Sequence, residues 1–403
     1  MLTGLLRTAA AAALLAAAGA LPAQAADDPV RIAFITDMSG VYSDLDGRGG
    51  LEAITMAVED AGGEVLGRKV EILSADHQSK ADIASAQARE MVARQDIDLL
   101  LGGTNSAANL AMQSIMTEAG RPFISIGGTT PRLTGPDCTP WTIAYFYDTT
   151  SLARSVGAAA TRSAGKTWYF LTADYTFGHS LEEDATAVVK QNGGEVLGSV
   201  RHPLGTTDFS AFLLSAQASG AEVLALANAG PDLVNAIKGA KEFGLTDSMK
   251  LASLLMFIGD IHALGLENTQ GLLMTEAWNF NLSPEAQSFA DRFYEKMGKM
   301  PNGLQAAEYS ATRTYLRAVE EAGTTDPDAV MKKMKSMEID DMYGKGYIRE
   351  DGRFVHDLYL FRTKTPEEST GEWDLLELVT TVPGEEAFGK EPNASCEFAS
   401  KQG

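Results

Sequence analysis

The chain has 403 residues, of which 45% are hydrophobic and 22% charged, and its formal net charge is −21. That length allows two or three domains, and the composition is that of a globular protein with a sizeable core. The acidic surplus repels nucleic acid and anionic lipid headgroups, so neither is expected as a partner.

Arg7, the run "AAAAALLAAAGAL" and the small-x-small site Ala23-Gln24-Ala25 read as a secretory signal peptide over residues 1–25, cleaved after Ala25. The alternative is an N-terminal anchor, but the apolar run is short for a membrane span. No Cys lies near the site for lipid attachment, and no later segment is apolar for long enough to cross a bilayer. The expectation is a periplasmic or secreted protein that is not membrane-embedded. Its two cysteines, Cys138 and Cys396, read as one disulfide in an oxidising compartment, with two free thiols as the alternative.

Strands and helices then alternate. "VRIAFIT" is a β-branched and aromatic run, and "GGLEAITMAVEDAGG" carries Leu51, Ile54, Ala57 and Val58 at helical spacing. "KVEILSAD", "ADIASAQAREMVAR", "IDLLLGG", a helix from about Ser106 and "RPFISIGG" continue the pattern. Near-continuous apolar strands between amphipathic helices imply a parallel sheet covered on both faces. Near Thr142 to Thr149 the pattern restarts, with "TWYFLTA", "EVLGSV", "EVLALAN" and "KLASLL" as strands of a second α/β unit. The hexapeptide "GGEVLG" at Gly62–Gly67 and again at Gly193–Gly198 suggests two related units, each copy ending a helix and starting a strand. After "GLLMTEAWNF" the chain turns helical, and it finishes with alternating strands around an "EDGR" hairpin turn.

Open α/β sheets bind ligands at the carboxyl ends of their strands, where helix N-termini point. Those ends here carry "DMSGVYSDLDGRGG", "GGTNSAA", "GGTTPRL", "ADYTFGH", "AGPD" and "LLMFIGD". Glycines there admit a ligand to the backbone, and Ser, Thr and Asn supply hydroxyls, amides and helix caps, although one such loop alone is ordinary capping. Dinucleotide, Walker and nucleophile-elbow motifs are missing, and His77, His179, His202, His262 and His356 show no metal spacing. No cofactor, metal or catalytic residue is expected, so the chain reads as a binding protein rather than an enzyme. A sensory ligand-binding module is the rival.

The strings "TDMSGVYSDL", "ADHQSKADIASAQAREMV", "GGTNSAANLAMQ", "SIGGTTPRLTG", "LTADYTFGHSLEEDATAVV" and "YSATRTYLRAVEEAG" are similar to the leucine-binding-protein family, the type I periplasmic solute-binding proteins of branched-chain amino acid ABC transporters. The resemblance runs in order along the chain beyond the leader. It implies two Rossmann-like lobes with parallel sheets covered by helices, joined by three hinge crossings near Tyr145, Ala277 and Tyr343. Residues 28–144 and 279–342 would form one lobe, 145–277 and 343–385 the other, and 386–403 a tail. A monomer is implied, with a small-molecule ligand and an ABC-transporter membrane permease as partners. The loops at Asn105-Ser106 and Gly127, Gly128 and Thr129 match the family's carboxylate-binding loops. Tyr42 to Leu45 match the segment that caps the ligand side chain, and Phe177 matches an aromatic that closes over it. The family's ammonium-binding carboxylate is replaced by about Leu255, and its acidic-aromatic loop by "AGPD" after Asn228. A buried ammonium without a carboxylate is costly, so an aromatic or other small carboxylate, or an amide, fits better, unless Asp174 substitutes. Tyr175, Phe177 and Trp278 could stack on a ring, while Trp278 could equally be hinge core.

Overall fold

The computed structural model describes residues 28–400. The expected signal peptide, residues 1–25, and its cleavage after Ala25 lie outside the described residues. From the start of the fold, β1 (Val30–Thr36), α1 (Gly47–Asp60), β2 (Glu64–Val65), β3 (Arg68–Asp76), α2 (Ala81–Gln95), β4 (Leu99–Gly102), α3 (Ser106–Ala119), β5 (Phe123–Ser125) and β6 (Thr142–Ala144) alternate as the hydrophobic periods require. Their sheet has the order β2-β3-β1-β4-β5-β6 and is parallel except for the β2–β3 hairpin. β1 and β4 are almost wholly buried because helices cover both faces, whereas β3, next to the hairpin, alternates with solvent.

The second unit starts with α4 (Thr149–Leu152), a π-helical turn at 153–157 and α5 (Ala158–Ser163). It continues through β7 (Thr167–Ala173), α6 (Thr176–Gln191), β8 (Glu195–His202), α7 (Ser210–Ala218), β9 (Val223–Ala227), α8 (Gly230–Glu242), β10 (Lys250–Ser253), α9 (Ile258–Leu264) and α10 (Leu266–Thr269). Its parallel sheet has the order β10-β9-β7-β8. In both sheets the unit's opening strand (β1 or β7) lies between the next two long strands, β3 and β4 or β8 and β9, so the architecture is doubled.

Both copies of the hexapeptide end a helix and open a strand, but the strands they open differ. In the first copy Glu64–Val65 form a hairpin arm, and Leu66 and Gly67 turn with φ of 53° and 72° before β3 begins. In the second, Glu195 to Gly198 run inside β8, and the register against β7 slips between Trp168 and Tyr169, leaving Leu197 as the extra residue. The duplication therefore rests on sheet order, not on those six residues.

After β11 (Leu273–Glu276) come α11 (Pro284–Met297), α12 (Gly303–Ala322) and α13 (Pro327–Ser336), and α12 returns to pack along α1. Two antiparallel sheets finish the chain. One is β12 (Glu338–Asp341), β13 (Gly344–Ile348) and β14 (Phe354–His356), with the "EDGR" turn between β13 and β14; the other joins β15 (Leu358–Thr363) and β16 (Leu376–Val382) to β11. The short helices α14 (Gly384–Phe388) and α15 (Glu397–Ser400) form the tail, which Cys396 fastens to Cys138 with Cα atoms 5.5 Å apart.

Candidate functional site

The carboxyl ends of both parallel sheets face one small cavity of about 30 Å³. Tyr42 and Leu45 reach it from the loop after β1, Thr104 and Asn105 from the turn between β4 and α3, and Gly127 and Thr129 from the segment after β5. Tyr175 and Phe177 enter from the start of α6, Ala229 from the start of α8, Leu255 and Phe257 from the turn before α9, and Leu304 from the first turn of α12. Helix N-termini with partial positive charge therefore converge on it. The starts of α6 and α8 carry no side-chain cap, which leaves first-turn N–H groups of α6 available as donors, while Pro231 removes one from α8.

On the first-sheet side the loops are held by hydrogen bonds. Asn105 has φ of +77°, a strained conformation for a residue with a side chain, and its Oδ1 accepts from Ala108 N–H at 3.0 Å to cap α3. Its amide donates to the Ser79 carbonyl at 3.3 Å. The buried Asp37 carboxylate accepts from Ser79 Oγ at 2.5 Å and Tyr42 N–H at 3.0 Å, which fixes the loop carrying Tyr42. Gly127 is required by protein packing: a Cβ there would lie 2.7 Å from Thr104 Cα.

The two units meet across the cavity. Tyr42 and Tyr175 hydroxyls are 2.8 Å apart, Tyr175 and Phe177 ring centroids 5.9 Å, and Thr130 Oγ1 lies 3.3 Å from Ser180 Oγ. Burial raises the pKa of both tyrosines, so both hydroxyls stay protonated. Behind the start of α8 the Asp232 carboxyl, whose Oδ2 accepts from Gly205 N–H at 3.1 Å, is pushed up to about 6 by burial.

Of the residues singled out in the sequence, Tyr42, Leu45, Asn105, Gly127, Thr129, Tyr175, Phe177 and Leu255 line the cavity together. Ser106 opens α3 with its hydroxyl buried, and Gly128 packs on Asn109, both behind the wall. Asp174 is half-exposed and points away, its Oδ1 2.8 Å from His179 Nε2 and 3.9 Å from Arg201. Asn228 is buried with Nδ2 3.2 Å from His202 Nε2. Trp278 is buried edge-on to Phe289 and donates to the Met342 carbonyl at 2.9 Å, a packing role. Thr104, Ala229 and Phe257 lie inside quoted loops but were not singled out. Leu304 was missed altogether, although Asn302 and Gln305, which form a capping box, mark its helix start. Among the described residues no group of three or more His, Cys, Asp and Glu could hold a metal ion, and no helix is long and apolar enough to cross a membrane.

Residues 29–371 match the family model described as periplasmic binding protein. The chain belongs to the periplasmic binding protein family. This periplasmic binding protein is 56% identical to a periplasmic binding protein of Burkholderia mallei, at a TM-score of 0.91 over 92% of this chain and 99% of that one. It is 35% identical to a branched chain amino acid ABC transporter periplasmic ligand-binding protein of Burkholderia xenovorans LB400, at a TM-score of 0.81 over 92% of this chain and 100% of that one. It is also 25% identical over 354 residues to the Leu/Ile/Val-binding protein homolog 6 of Brucella melitensis, covering 85% of this chain and 90% of that protein. The family consists of solute-binding transport components rather than enzymes.

Proposed function

We propose that the protein is exported to the periplasm with loss of residues 1–25, binds a small carboxylate-bearing solute between its two sheets and delivers it to an ABC-transporter permease. The observation that carries this reading is the convergence of uncapped helix N-termini and aromatic rings on one cavity shared by both units. Backbone N–H groups suit a carboxylate, and Tyr42, Tyr175, Phe177 and Phe257 suit an apolar or aromatic body. Asn105, Gly127 and Thr129 would hold the carboxylate, and Tyr42, Leu45 and Phe177 would cover the rest. The transporter role draws on the 35%-identical relative from Burkholderia xenovorans.

Leu255 and Phe257 occupy the wall where an ammonium would need a carboxylate, and Asp174 faces outward. That favours an aromatic acid, another simple carboxylate or an amide over an ordinary aliphatic amino acid. In this reading residues 28–144 with 279–342 form one lobe and 145–277 with 343–385 the other. The crossings near Tyr145, Ala277 and Tyr343 let the lobes part to admit a solute larger than the present cavity and shut around it.

The test is thermal denaturation with a panel of amino acids, aromatic acids and amides. A ligand at 100 times its dissociation constant adds about 2.7 kcal/mol of stability, and a flat response across the panel overturns the proposal.

A further inference from the structure

Two buried carboxyls meet directly behind the cavity wall. Asp46 follows Leu45, and its Oδ2 accepts from Thr36 Oγ1 at 2.6 Å and from the Thr104 N–H at 3.1 Å. Glu308 lies one turn beyond Leu304 on α12 and is fully buried. With both carboxyls ionised, neither Asp46 Oδ1 nor either Glu308 oxygen has a hydrogen-bond partner. Both crowd one face of α1: a Cβ at position 50 would lie 2.1 Å from Asp46 Oδ1 and 2.2 Å from Glu308 Oε2. A Cβ at position 103 would lie 2.2 Å from Asp46 Oδ2. Gly50 and Gly103 therefore make room for protein carboxyls, not for a ligand.

The surroundings supply no counter-charge that would let both acids ionise. Asp37 directly follows β1 and is a like charge felt at Asp46. β3 leads into His77, whose Nε2 is 3.0 Å from the Thr104 carbonyl and whose affinity for a proton is lowered by burial. α1 presents Gly49 and Gly50, and α12 adds the neutral Gln305. Two buried carboxylates side by side repel strongly, and one proton converts the contact into a hydrogen bond. Asp46 already accepts two donors, which favours its ionised form, so the proton belongs on Glu308.

We propose that Glu308 is a neutral acid at pH 7 that donates a hydrogen bond to Asp46, and that this pair is a positioning device for the cavity wall, joining Leu45, the Thr104 turn and Leu304. Burial raises the pKa of both groups, most for Glu308, consistent with the geometry.

In infrared spectra at pH 7, replacing Glu308 by Gln should remove a protonated-carboxyl carbonyl band present in the wild type; identical spectra overturn the assignment. Hydrogen exchange at the Thr104 amide gives the second readout. Glu308→Gln, which keeps the size and a donor, should exchange at the wild-type rate, whereas Glu308→Leu should speed exchange about tenfold, the scale of one net hydrogen bond. An unchanged rate in Glu308→Leu removes the positioning role. Equal acceleration in both variants shows that packing alone, not the donated hydrogen bond, holds the loop.

Discussion

The 2.8 Å contact between the Tyr42 and Tyr175 hydroxyls exists only while the two sheets' loops are together. Tyr42 is 3% exposed, so Tyr175→Phe leaves its hydroxyl buried without a partner. That costs about 1–3 kcal/mol in the closed arrangement. If, as proposed, the lobes part to admit a solute, water satisfies Tyr42 in the open form, so the cost falls on the closed form alone. It should appear as a loss of ligand affinity of about 5- to 150-fold. Tyr42→Phe should act similarly. The double variant removes both hydroxyls and leaves no orphan, so it should bind better than the two single losses predict when added. Calorimetric titration of all four proteins, with a solute first shown to raise the wild-type melting temperature, measures the coupling. Additivity within about 0.3 kcal/mol, or single variants that bind like wild type, would refute the reasoning.

Phe177, 2% exposed at the cavity, should lose more than about 1 kcal/mol of binding free energy on replacement by Ala, and unchanged affinity would remove it from the site. Burial pushes the Asp260 carboxyl up to about 7, so the folded protein retains a proton that the unfolded chain releases near pH 4. Its contribution to stability is fully present below about pH 4 and declines as pH rises towards 7. The melting temperature of Asp260→Asn should therefore fall less than that of wild type between pH 5 and pH 8, and parallel curves would contradict the buried-acid assignment. Cys138 and Cys396 should resist thiol reagents until reduced; prompt labelling of the native protein would rule out the bridge.

The parallel sheets were legible because β1, β4 and β9 are near-continuous apolar runs, the pattern expected of strands buried on both faces. The loop positions were legible because strand ends and helix starts are local features. Side-chain direction was not. Asp174 and Phe177 share one turn, yet the helix that starts at Thr176 sends Phe177 inward and leaves Asp174 with His179 and Arg201 at the surface. The paired glycines suggested close ligand approach; Gly127 does line the cavity, but the backbone at Gly103 is approached by Thr36 and Asp46 instead. Leu304 reaches the cavity only because α12 packs against α1, a contact between distant stretches that no local pattern announces.

The Cys138–Cys396 bridge has a practical corollary for anyone preparing the protein. A truncation that removes Cys396 strands Cys138 as a lone thiol able to cross-link two molecules. Expression in a reducing environment would leave the segment around Cys396 held by weaker contacts alone, so reduced and oxidised material should be treated as different samples.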